Sequence, residues 1–202
     1  MDKLITTIEI ALIILLPLIR FYQRSTWTYK SYILNIVLLY LIWLFSYAFL
    51  HELCHMLGSW ITGTKILDYQ LIPPYWKGDF KTAFVKSDFE NDFQAFVSGI
   101  LPYFRDIVFS IVGFLILKGK WINNSFFLGL ILIIFILSPL YDITNNYLAF
   151  VLGALNDFNG LAIRFGYFFT NTIGLLFTSI SIITTIGILK IYKNYPVIVM
   201  KK

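Results

Sequence analysis

Ile33 to Leu50 (ILNIVLLYLIWLFSYAFL) runs for 18 residues without a charge and passes directly into His51-Glu52-Leu53-Cys54-His55. A run of that kind satisfies its backbone in an apolar surrounding only as a helix, and about 20 such residues cross a bilayer. The same helix therefore carries two imidazoles and a carboxylate at or within the membrane boundary. Positions 51 and 55 are i and i+4, on one face and one turn apart. Both histidines can meet a single metal ion while Glu52 stands beside it as a general base. Ionisable groups at that depth are costly to leave unpaired, so function is the default expectation. Polar helix packing is the rival explanation, and it gives no reason for a glutamate between two histidines.

Composition supports a membrane setting. The 202 residues are 58 % hydrophobic and 13 % charged, where soluble domains carry about 25 % charged residues. The expected fold is an all-α integral membrane protein, one polytopic domain over residues 1–202. Further apolar runs at Leu4 to Tyr22, Phe93 to Leu117, Trp121 to Leu137 and Gly166 to Leu189 bring the spans to five. The core is expected at about 33–165, flanked by helices 4–22 and 166–189. Leu4 to Tyr22 carries Glu9 and no small-residue cleavage pattern, so it reads as a retained membrane helix.

The net charge of +5 sits in short clusters beside the spans: Arg20, Arg24 and Lys30, then Lys118 and Lys120, then Lys190, Lys193, Lys201 and Lys202. Such clusters report topology and argue against a nucleic-acid partner. They place all three connections on the cytoplasmic side of a multi-pass protein of the cell membrane, with the N-terminus outside.

Two connections are of another kind. Thr64 to Asp92 shows alternation in Leu67 to Ile72 and in Phe80 to Val85, around the turn-rich Pro73 to Asp79, which predicts a small β-hairpin after the HExxH helix. Its open edge is suited to receive an extended peptide as an added strand. Pro139 to Phe165 is interrupted by Asp142, Asn145, Asn146, Asn156, Asp157 and Asn159, and reads as a broken or re-entrant segment.

Catalytic zinc normally takes three protein ligands, and no His or Cys follows His55. The single cysteine, Cys54, reads as a helix-packing residue. The third ligand should then be a carboxylate. Charges of the hairpin connection are ordinarily solvated, and Asp106 has Arg105 beside it. Asp142 and Asp157 remain, both in the broken segment. Asn145, Asn146, Asn156 and Asn159 are candidate donors to an oxyanion or substrate backbone, or else to the broken helix itself.

These residues together resemble the site-2 protease family of intramembrane zinc metalloproteases. His51-Glu52-x-x-His55-x-x-x-Ser59-x-x-x-Gly63 is similar to that family's HExxH helix, and a short β region follows. Ser98-Gly99-Ile100-Leu101-Pro102 is then expected to open a helix, where the family usually has a Gly-Pro turn with an Asn nearby. Asn156-Asp157-Phe158-Asn159-Gly160 is the nearest match to its later Asp-Gly element, with Ser138-Pro139-Leu140-Tyr141-Asp142 as a rival. The resemblance implies that His51, His55 and Asp157 hold Zn²⁺, with Asp142 as the alternative third ligand. Glu52 is then the general base on zinc-bound water. The implied activity is that of a zinc-dependent endopeptidase acting in or near transmembrane segments, with membrane proteins or membrane-associated peptides as substrates and the lipid bilayer as surroundings. A zinc-binding membrane transporter or sensor, or an inactive membrane scaffold, is the alternative. A metalloprotease with a downstream glutamate as ligand is disfavoured, since Glu90 is the only one after the motif.

Overall fold

The computed structural model describes residues 2–22, 29–78, 83–122 and 124–193. Arg24, Lys201 and Lys202 lie outside the described residues, as do Asp79, Phe80, Lys81 and Thr82 of the expected hairpin.

Helix α1 (Asp2–Glu9), a π-helical stretch (Ile10–Leu15) and α2 (Leu16–Tyr22) follow one another, then α3 (Tyr29–Ile61). Strands β1 (Lys65–Gln70) and β2 (Phe84–Asp88) come next, then α4 (Asp92–Gly119) and α5 (Ser125–Leu132). A second π-helical stretch (Ile133–Leu137) joins α5 to α6 (Ser138–Val151), before α7 (Asp157–Phe165) and α8 (Tyr167–Lys193). Five helices are long and apolar enough to cross a membrane: Leu4–Phe21, Tyr29–Ile61, Asp92–Gly119, Ser125–Val151 and Tyr167–Ile191.

The helix boundaries have local causes. Asn124 caps α5 by accepting from the amides of Phe126 and Phe127. Gly63, at φ +68°, closes α3, and the Thr64 amide donates back to the Ser59 carbonyl at 2.8 Å. Gly153, at φ +80°, does the same for α6 through the Ala154 amide and the Ala149 carbonyl, also 2.8 Å apart.

Two expectations need correcting. Pro139 to Phe165 is not broken throughout. The fourth long helix runs on to Val151, and the interruption is confined to 152–156. Pro139 fits because the wider π-helical turn directly before it relaxes the ladder that a proline would otherwise disrupt. Second, Ser98 to Pro102 does not open a helix: α4 begins at Asp92 and Pro102 lies inside it.

The chain divides into two compact units, Met1–Trp43 with Asp106–Asn145 and Phe177–Lys202, and Leu44–Arg105 with Asn146–Leu176. In the first unit Trp43 meets Tyr141 edge-on at 5.3 Å, and Asn145 donates to the Glu9 carboxylate. Gly113 lies so close to Ile136 and Phe135 that a Cβ there would stand 2.6 Å and 2.8 Å from their side chains. In the second unit β1 and β2 pair antiparallel from Lys65↔Asp88 to Gln70↔Phe84, with a bulge between Ile66 and Asp68. The first strand thus starts at 65, not at 67, and the second is described from Phe84. Tyr75, in the turn between them, donates its hydroxyl to the Leu44 carbonyl at 3.2 Å and sets its ring edge-on to Phe45.

Candidate metal centre

The second unit brings three ligand atoms together. His51 Nε2 and His55 Nε2 lie 3.2 Å apart, and Asp157 Oδ2 lies 3.1 Å from the first and 3.2 Å from the second. These residues form a cluster that can hold a metal ion. Asp142, the rival third ligand, is not in that cluster; it is fully buried in α6, in the first unit.

Each ligand is placed by its own element. The two histidines share a face of α3, as the i, i+4 spacing requires. Asp157 is the first residue of α7, where the helix dipole favours a negative charge. Asn156 caps that helix: its side chain accepts from the Asn159 amide, and the Asn159 side chain accepts from the Asn156 amide. The Asn156 side chain also donates to the Asn146 carbonyl at 2.6 Å, tying the start of α7 to the end of α6. Of the asparagines read as possible oxyanion donors, Asn145, Asn156 and Asn159 are thus engaged in holding helices.

The approach of α3 to α4 depends on Gly58. A Cβ there would lie 2.7 Å from the Ser98 Cα, so only glycine fits without displacing backbone. This contact lets His55 Nδ1 donate to the Ser98 carbonyl at 2.8 Å, while the Ser98 hydroxyl donates to the His55 carbonyl at 3.1 Å. Pro102 completes the arrangement. In a regular helix the Ser98 carbonyl accepts from the amide of residue 102, and proline has none. That carbonyl is left for the imidazole.

The tautomer follows. A carbonyl only accepts, so Nδ1 of His55 carries the proton and, in the neutral ring, Nε2 presents a lone pair. That lone pair faces His51 Nε2 and a carboxylate oxygen, and His51 Nε2 can supply at most one proton between them. With both rings neutral, at least one contact therefore sets acceptor against acceptor. A cation removes the conflict. Ligand atoms on a tetrahedral ion with bonds of about 2.0 Å are about 3.3 Å apart, close to the 3.1 and 3.2 Å found here. Two imidazoles and a carboxylate suit a divalent transition ion, Zn²⁺ among them.

Partial burial by itself would raise the pKa of Asp157. When no ion is bound and His55 is protonated, its charge and the bonds from His51 and His55 outweigh it and hold the carboxyl well below the usual carboxylate range. The carboxylate thus stays ionised before an ion takes the place of the imidazole proton.

A cavity of about 290 Å³ opens beside the cluster. Glu52, His55 and Asp157 line it together with Ala83 just before β2, Phe84 and Val85 at its start, and with Gly160, Leu161 and Arg164 of α7. Asp157, Gly160, Leu161 and Arg164 follow the i, i+3, i+4, i+7 spacing of one helix face. A Cβ on Gly160 would meet nothing within 4 Å. Arg164 is held at the cavity by Asp92 at 3.0 Å and by the ring of Phe89.

Tyr103 of α4 is fully buried, and its hydroxyl donates to Asp157 Oδ2 at 2.8 Å. The only local signal for it is a phenol inside an apolar span, where the hydroxyl needs a partner. Comparison of the chain with models of known protein families, with characterised proteins and with solved structures gave no match.

Proposed function

We propose that this chain is a zinc-dependent membrane endopeptidase that hydrolyses peptide bonds in or beside transmembrane segments. The observation that carries this reading is that Glu52 shares one cavity with His55 and Asp157 of the three-ligand cluster. Bound Zn²⁺ would supply a Lewis acid and bring the pKa of a coordinated water towards ~7. Glu52 takes the proton of the nucleophilic water and returns it to the leaving amine. Ser98 holds His55 in the ligating tautomer, and the Asn156 cap holds Asp157 at its station.

The start of β2 suits a peptide substrate. Side chains of successive strand residues point to opposite faces, yet Phe84 and Val85 both line the cavity, next to Ala83 just before the strand, which the rim of the strand explains better than either face. Such a rim offers backbone donors and acceptors to an extended chain, and Gly160, one turn along α7 from Asp157, leaves room beside the ligands. The five apolar helices and the resemblance to the site-2 protease family point the substrate class towards membrane segments.

The test uses the full chain in liposomes with synthetic transmembrane peptides of about 20 apolar residues, products being read by mass spectrometry. Wild-type protein should cleave, and Glu52→Gln should keep its metal while losing cleavage by about 10²- to 10⁴-fold. Equal cleavage by both, or intact metal with cleavage by neither, would contradict the assignment and favour a transporter, sensor or scaffold.

A further inference from the structure

We propose that Tyr103 is a positioning residue for the metal centre, its hydroxyl fixing Asp157 so that the carboxylate offers a single oxygen to the ion. This role rests on the metal-centre reading above and adds a residue to it.

The geometry is specific to one atom. The Tyr103 hydroxyl donates to Oδ2 at 2.8 Å, and Oδ2 is the same oxygen that stands 3.1 and 3.2 Å from the two imidazole nitrogens. A carboxylate oxygen has two lone-pair directions in its plane. Here one is occupied by the phenol, leaving the other for the ion.

A carboxylate free to turn can bind an ion through one oxygen or through both. The donor on Oδ2 opposes the rotation that would bring Oδ1 in. A position then stays open for water, which a catalytic site needs and a closed structural site lacks.

The phenol itself cannot easily move. Tyr103 is fully buried, its ring packs on Phe158 at 4.8 Å, and it lies edge-on to His51 at 5.9 Å. Phe158 follows Asp157 directly and is also fully buried. Two successive residues of α7 therefore grip one side chain of α4, the first by its carboxylate and the second by its ring. A hydrogen bond to an ionised acceptor is about twice as strong as a neutral one. Loss of such an outer partner of a ligand typically costs about 10- to 100-fold in metal affinity.

The experiment uses the full chain in detergent, wild type and Tyr103→Phe, with two readouts. Zn²⁺ affinity is measured by competition with a chromogenic chelator, and the coordination state is read from the visible spectrum of the Co²⁺-loaded protein. The variant should bind about 10- to 100-fold more weakly, and its Co²⁺ bands should weaken and shift as the coordination number rises. Unchanged affinity and spectrum would overturn the role, as would a lowered melting temperature with an unchanged spectrum, which marks a purely structural tyrosine. If wild-type protein binds neither ion, the metal centre falls and Tyr103 with it. If wild-type binds and Tyr103→Phe is identical, only this inference falls. Should Tyr103→Phe lose its helical circular dichroism, Phe158→Leu takes its place, since it keeps the hydroxyl and loosens the ring. A smaller loss of affinity with the same direction of spectral change supports the role; none overturns it.

Discussion

The buried acids Glu9, Asp106 and Asp142 all belong to one compact unit, yet among the described residues it is a half-buried acid of the other unit that gathers with further ligand atoms. In the unit containing Glu9, Asp106 and Asp142, Glu9 takes a hydrogen bond from Asn145, and Asp142 is sealed within α6. In the unit containing Asp157, the acid begins a short helix, remains about 29 % exposed, and faces two imidazoles beside a cavity. Burial of a charge is therefore not what marks the site. Convergence is: several groups with lone pairs close to one point, with an open cavity next to them.

Paired substitutions, one in each unit, can break or sharpen this contrast. Gly58 and Gly113 are both packing glycines: a Cβ at Gly58 meets the Ser98 backbone, and one at Gly113 meets Ile136 Cδ1 and also Phe135 Cβ, an atom fixed to its own backbone. Each change to alanine should cost about 3 kcal/mol, at the upper end for overpacking. Thermal unfolding in detergent measures both. Metal titration should show weakened binding for Gly58→Ala alone, because only that glycine sets the His55–Ser98 contact.

Two asparagines give a smaller contrast. Asn145→Ala removes the donor to a buried carboxylate and should destabilise by about 1–3 kcal/mol with metal affinity unchanged. Asn156→Ala uncaps α7, costing about 1 kcal/mol, and should also weaken metal binding. If both variants bind metal like wild type, the cap does not position Asp157.

The smallest effect is expected at Pro102. Pro102→Ala restores an amide that competes with His55 for the Ser98 carbonyl. Helix stability should hold or rise, while metal affinity falls by less than about 10-fold, the lower bound for loss of a full outer partner. Isothermal titration with Zn²⁺ would resolve this; affinity equal to wild type would show that the freed carbonyl is incidental.

Much of this arrangement was legible in the amino-acid order. The apolar runs announce the five long helices, the HExxH spacing puts His51 and His55 on one face, and the alternation after Thr64 announces a hairpin. These features are written in local periods of 3.6 and 2 residues. The choice between Asp142 and Asp157 was not legible, since both have amide-rich, helix-interrupting neighbours. What separates their settings is the π-helical turn that lets the chain run through Pro139 to Val151, and the Gly153 and Asn156 caps that move the break to 152–156. Nor was Tyr103 legible. Its partner is 54 positions away, and nothing in an apolar helix tells which face a distant carboxylate will approach. The same holds for Ser98, whose contribution comes from a backbone carbonyl freed by Pro102.

The central claim is that His51, His55 and Asp157 hold one metal ion. Its most direct test is elemental analysis of the purified full-length chain after Zn²⁺ loading and removal of free metal, for wild type, Asp157→Asn and Asp142→Asn. Wild type and Asp142→Asn should hold about one ion per chain, as expected for one three-ligand site, and Asp157→Asn a small fraction of that. Wild-type protein that carries no metal, or metal lost from Asp142→Asn but kept by Asp157→Asn, would contradict the claim.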